Sequence, residues 1–86
     1  MTRWIGRVRV MPRAGLLDPQ GHAVEHALGE LGFSGVRQVR VGRTVEIAIE
    51  AASEPDARDQ LRLMCEKLMA NPVTEDFTID AVEALP

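Results

Sequence analysis

An α+β domain, with two helices on one face of an antiparallel sheet, is predicted by three features of this 86-residue sequence. Apolar residues alternate with polar ones near the N-terminus, in the middle and near the C-terminus, the period of strands with one buried face. Between these stretches lie two segments whose apolar residues fall on a single helical stripe. Each helical segment opens on an acid or hydroxyl residue followed by proline and closes on glycine, asparagine or proline, the punctuation of a helix with defined ends.

The first strand pattern is Trp4, Gly6, Val8 and Val10 against Ile5, Arg7, Arg9 and Met11, and Pro12 ends it. Asp18 before Pro19 predicts a helix start: the carboxylate accepts from free first-turn amides, and proline occupies a position whose amide has no partner. Val24, Ala27, Leu28 and Leu31 form that helix's apolar stripe, and Gly32 supplies a left-handed residue at its end. From Val36 to Glu50, Val39 and Val41 precede Gly42 and Arg43, and Val45, Ile47 and Ile49 follow them, which predicts a hairpin. Ser53, Glu54 and Pro55 open a second helix with the stripe Ala57, Leu61, Met64, Cys65 and Leu68, ended by Asn71 and Pro72. Phe77 and Ile79, alternating with Asp76, Thr78 and Asp80, make the last strand.

The order β-α-β-β-α-β is most simply packed as a ferredoxin-like sandwich over residues 1–86 as one domain, with sheet order 4-1-3-2. Charge supports that order. With the apolar side chains turned toward the helices, the outward sets are Asp76 and Asp80, then Arg7 and Arg9, then Glu46 and Glu50, then Arg40. Their signs alternate across the sheet, so neighbouring strands attract.

An apolar share of 45% supports a packed core without disulfides, and the single Cys65 excludes an internal disulfide framework or a Cys-rich zinc site. This fits a reducing, cytoplasmic setting, and the charged N-terminal strand is neither a signal peptide nor a membrane span. The net charge of -3 conceals an asymmetry: residues 1–43 carry +4 and residues 44–86 carry -7. A basic half can mark a nucleic-acid surface. Here, however, the arginines are matched by acids across the sheet, and with no Tyr and only two Phe the stacking residues of RNA-binding sheets are missing.

Catalytic patterns are equally thin. His22 and His26 stand one turn apart, as two metal ligands can, but no third histidine or cysteine supports them. Cys65 lies on the apolar stripe, where a thiol acts as a small hydrophobe. The segment Gly15–Gly21 matches no phosphate-binding glycine motif, and Asp18 at the helix start disfavours an anion there. The loop Met11–Gly15 is a poor match to the anion cradle of an acylphosphatase. The residues therefore predict a binding module with neither catalytic group nor metal site.

Three blocks are more specific. Leu17–Gly21 with Ala23, Val24, His26, Ala27 and Leu28 resembles the opening helix of the PurS family, and Val39–Arg43 resembles that family's hairpin turn. Cys65–Leu68, Ala70, Asn71, Val73 and Glu75–Phe77 resemble its second helix and last strand, with Met69 in place of a usual Leu and Phe77 where Tyr is frequent. The resemblance implies a non-catalytic small subunit of phosphoribosylformylglycinamidine synthase. That complex uses ATP, magnesium and glutamine to convert formylglycinamide ribonucleotide into formylglycinamidine ribonucleotide in purine biosynthesis. It further implies a homodimer, or a dimer of dimers, that bridges a glutaminase subunit and a large synthetase subunit and assists ammonia transfer, binding no cofactor itself. The competing expectation is a small-molecule regulatory domain of the amino-acid-sensing type, which shares the element order.

Partner contact is expected at Leu16, Leu17, Asp18, Pro19, Gln20 and Gly21, at the turn residues Arg40, Gly42 and Arg43, and at Asn71. Ile5 and Met11, apolar on the outward sheet face, are expected to need cover from another subunit.

Overall fold

A computed structural model describes residues 1–86. Three strands, β1 (Thr2–Pro12), β2 (Arg43–Ala51) and β3 (Glu75–Ala84), and two helices, α1 (Pro19–Glu30) and α2 (Glu54–Met64), make up the fold. A single π-helical turn, Cys65–Met69, extends α2.

The sheet is antiparallel with order β2-β1-β3. It realises the predicted order for the first, third and fourth strand patterns, with β1 central. Val8 pairs with Val45 on one side and Ile79 on the other, so each apolar set meets another apolar set. The β1–β3 register shifts between Arg7 and Val8, which face Ala81 and Ile79 and leave Asp80 as the extra residue of a bulge. Asp80 accepts two hydrogen bonds from the Arg9 guanidinium, each 3.2 Å. Arg7 reaches Glu46 at 3.3 Å and Glu83 at 3.4 Å, and Arg13 reaches Asp76 at 3.3 Å. The cross-strand charge pattern is thus present over the three strands. Such half-exposed pairs contribute little each, and they report register more than stability.

Two expectations are corrected. The second strand pattern, Val36–Val41, forms no strand, and Gly42 and Arg43 are not a hairpin turn. One backbone group that would build a ladder is engaged elsewhere. The Val41 amide donates to the Asp18 carboxylate at 2.9 Å, and the Arg40 side chain fastens the same segment by donating from its guanidinium to the Pro12 carbonyl. Arg40 therefore lies outside the sheet's charge pattern, and β2 is an edge strand.

The second correction is that one helix, not two, covers the sheet. α2 packs on all three strands, whereas α1 makes no comparable contact with any of them. Val8, Val10, Cys65 and Ala70 form the core cluster with Met69, Phe77 and Ile79 against it, while Ala51, Ala57 and Leu61 are also buried. On α1 the stripe is open: Val24 is 43% and Leu31 74% exposed. Only nine of the 86 residues are buried, and the molecule measures 52 × 29 × 14 Å. Its radius of gyration of 16.5 Å exceeds the roughly 12 Å of a compact domain this long. α1 is an arm extending from a small sheet-and-helix body.

Local signals for the helices hold. Asp18 caps α1 by accepting from the Gly21 amide, with Pro19 in the first turn, and Gly32 follows the helix at φ +97°. Ser53 caps α2 by accepting from the Asp56 amide at 3.3 Å.

Candidate functional site

Where the base of the α1 arm meets the body there is a cleft of about 480 Å³. Seven residues expected at an interface line it: Leu16, Leu17, Asp18, Pro19, Gln20, Gly42 and Arg43. The other three stand just behind. Gly21 is buried beneath Asp18, Arg40 holds the Pro12 carbonyl, and Asn71 backs the cleft wall through Glu75. Three separate stretches of sequence therefore converge on one place.

Asp18 organises the near wall. One carboxylate oxygen accepts from the Gly21 amide at 3.1 Å and the other from the Val41 amide at 2.9 Å. The cap of α1 is also the tie that holds residues 39–43 against the arm. Those two amides, Val41 first and Gly21 second, hold the Asp18 pKa below the ordinary carboxylate value, with the Arg40 charge adding to them. Gly21 is required by the same closeness, because a Cβ there would run into the Val39 carbonyl oxygen and the Asp18 carboxylate. Gly42 passes so near the Val10 carbonyl and the Met11 sulfur that a side chain has no room. Met11 and Ile5 are both half-buried.

Arg43 organises the far wall. Its guanidinium donates to both Glu75 oxygens, at 2.7 and 3.1 Å, and to the Met69 carbonyl. Glu75 also accepts from the Asn71 amide at 2.8 Å, and the Asn71 side chain accepts from the Val73 amide at 2.9 Å. The Arg43 guanidinium and then the Asn71 amide hold the Glu75 pKa down, while Glu75 raises that of Arg43. The fork joins the start of β2 to the end of the π-helical turn and the start of β3. Glu75 was missed as a partner by sequence reasoning. It lies 32 residues from Arg43, and no spacing rule relates two such residues until β1 has brought β2 and β3 to either side of itself.

These groups are fully engaged in hydrogen bonds to one another. Cys65 is buried in the core, and burial, with Glu66 second, pushes its thiol pKa up, which disfavours the nucleophilic thiolate. On exposed α1, His22 lies 3.7 Å from Glu25 and His26 3.2 Å from Glu30, so each imidazole faces a carboxylate. No three His, Cys, Asp or Glu residues come together in a group that could hold a metal ion. No helix is long and apolar enough to cross a membrane.

A sequence profile of PurS, described as phosphoribosylformylglycinamidine (FGAM) synthase, matches residues 6–83. The chain belongs to the PurS family. As a PurS-family chain it is a subunit of phosphoribosylformylglycinamidine synthase, in purine biosynthesis. It is 46% identical over 79 residues to the phosphoribosylformylglycinamidine synthase subunit PurS of Synechocystis sp., covering 90% of this chain and 79% of that one. Among solved structures it is similar to Thermus thermophilus PurS, with a TM-score of 0.85, 38% identity, and coverage of 98% of this chain and 99% of that one. It is also similar to a chain in the structure of PurLQS from Thermotoga maritima, with a TM-score of 0.81, 28% identity, and coverage of 99% and 100%. Such relatives do not favour the amino-acid-sensing alternative.

The cleft network of this PurS-family chain predicts an acid-sensitive fold. Asp18 and Glu75 both have folded pKa values below their ordinary ones. Their contribution is therefore complete above the unfolded carboxylate values of about 3.9 and 4.3 and is lost as pH falls through the lower folded values. Chemical unfolding followed across the acid range should show wild type losing stability more steeply than Asp18→Asn. Parallel curves would mean that the Asp18 charge is not coupled to folding.

Proposed function

We propose that this chain is a non-catalytic adaptor of the cytoplasmic synthase complex, holding the glutaminase subunit to the large synthetase subunit and assisting the passage of ammonia between them. ATP and magnesium are used by the larger subunits. The observation that carries this reading is the match, over nearly the whole of both chains, to a chain in the structure of Thermotoga maritima PurLQS. The chemistry agrees with it, since the cleft's charged groups are occupied, Arg43 with Glu75 and Asp18 with two backbone amides, and leave contact as the means of action.

In this reading the adaptor is a homodimer. The α1 arm with its open apolar stripe, the uncovered part of the sheet and the free edge of β2 are surfaces that one chain leaves unsatisfied. A second copy offers the same arm in exchange, so each sheet gains the helix its own chain does not lay on it. The cleft residues, with Leu17 84% exposed, contact the larger subunits.

Reconstitution from three purified subunits tests the adaptor reading. All three should co-elute, and omitting this chain should abolish glutamine-supported synthesis while leaving synthesis from added ammonium salt. Undiminished glutamine-supported turnover without the chain would overturn it.

A further inference from the structure

The α1 arm joins the body through two legs, and only one of them is seated on it. The outgoing leg, residues 14–17 between β1 and the cap of α1, makes a single hydrogen bond, from the Leu16 amide to the Arg13 carbonyl at 3.3 Å. A Cβ on its Gly15 would meet nothing within 4 Å. The helix itself touches the strands too little to be steered by them. The returning leg is different. Arg40 donates to the Pro12 carbonyl, and the Gly42 backbone runs hard against the Val10 carbonyl and the Met11 sulfur. Residues 40–42 are therefore fixed to the body, whereas α1 has no such fixing of its own.

Asp18 connects the two. One carboxylate oxygen takes the Gly21 amide in the first turn of α1 and the other takes the Val41 amide of the seated leg. Both bonds are charge-assisted, the stronger class. Gly21 lies so close to the Val39 carbonyl that a methyl group is excluded, so helix and leg are in contact as well as bonded at this point. Without the bond to Val41, the helix would be joined to the body only through residues 14–17 and the segment after Leu31. Its open stripe, with Val24 43% and Leu31 74% exposed, lies farther along the arm. Fixing that stripe in direction before it meets a partner removes an ordering cost from association.

We propose that Asp18 is a positioning residue whose clasp on Val41 aims the α1 arm, and so presents the stripe to a second copy in one direction. The inference rests on the homodimer reading and adds to it the residue that sets the arm's course. Asp18→Asn keeps the shape and one acceptor for the Gly21 amide but offers Val41 a second donor, and Asp18→Ser also keeps the cap while losing the second oxygen. Both should leave helix content by circular dichroism unchanged and weaken self-association of the full-length chain, measured by sedimentation, about tenfold or more, the worth of one charged hydrogen bond. Ser53→Ala removes the cap of α2 in the body instead and should leave association as it is. The proposal is overturned if both Asp18 variants associate as tightly as wild type, or if Ser53→Ala weakens association equally, since the effect would then be one of general stability. A wild-type chain that stays monomeric would instead remove the homodimer reading. The aim of the arm is then read within one chain, from the distance between spin labels at the exposed positions His26 and Thr78. That distance should be single and narrow in wild type and broadened in Asp18→Asn, and equal widths overturn the clasp.

Discussion

Leu61→Ala is expected to cost about 2–5 kcal/mol of folding stability, the usual range for deleting a fully buried leucine side chain. Leu61 is completely buried on the one helix that covers the sheet. Its side chain lies directly over Gly6, where the strand offers no Cβ. The cavity cannot collapse easily. Gly6 is held in register by Ile47 on one side and Val82 on the other, so the floor of the gap is a backbone fixed by two ladders. A domain of this size has total stability of about 5–15 kcal/mol, and the substitution removes a large part of it. Urea unfolding at one fixed protein concentration measures the effect, since association of chains shifts the midpoint. Leu61→Met, which keeps the volume, should cost less than about 1.5 kcal/mol. A loss below about 1 kcal/mol for the alanine variant would show that the stabilising core lies elsewhere.

Gly21→Ala has the second largest expected effect, and here sequence propensity and structure disagree in sign. Glycine inside a helix is about 1 kcal/mol less favourable than alanine, so propensity alone predicts stabilisation. The structure predicts a loss of about 1–3 kcal/mol, the cost of forcing an atom into occupied space. The added methyl would meet the Val39 carbonyl oxygen, a backbone atom, and the Asp18 carboxylate, which is held by two amides. Relief requires residues 39–43 to move off α1, breaking the Val41–Asp18 hydrogen bond and opening the near wall of the cleft. At Gly29, in the same helix, an added methyl would meet nothing within 4 Å. Gly29→Ala should therefore stabilise by up to about 1 kcal/mol. Thermal unfolding of the two variants decides the matter, and stabilisation by both would remove the close approach at Gly21.

The cleft was legible as residues but not as a place. Asp18 announced itself as a cap by chemistry that acts over three residues, and that cap is present. Its second hydrogen bond spans 23 residues and has no sequence signature. The same bond explains the missing strand. Val39 and Val41 alternate with polar neighbours whether their backbone joins a ladder or is tied to a side chain such as that of Asp18, so the period of two could not separate these states. The stripe on α1 was equally ambiguous, because it marks a face needing cover and is silent on which chain supplies that cover.

The α+β class, the two capped helices, the antiparallel pairing of three alternating segments and membership of the PurS family were all readable from the order of residues. The class, the caps and the alternating segments rest on interactions between near neighbours and on periodicity, which are written along the chain, and the family rests on the resemblance of three blocks of residues. That α2 covers the sheet alone, that α1 stands away as an arm, and that Arg43 is joined to Glu75 emerged only in three dimensions. Those outcomes depend on which of several possible partners a group meets across space, a competition settled by packing and by prior claims on each backbone amide, carbonyl and charge.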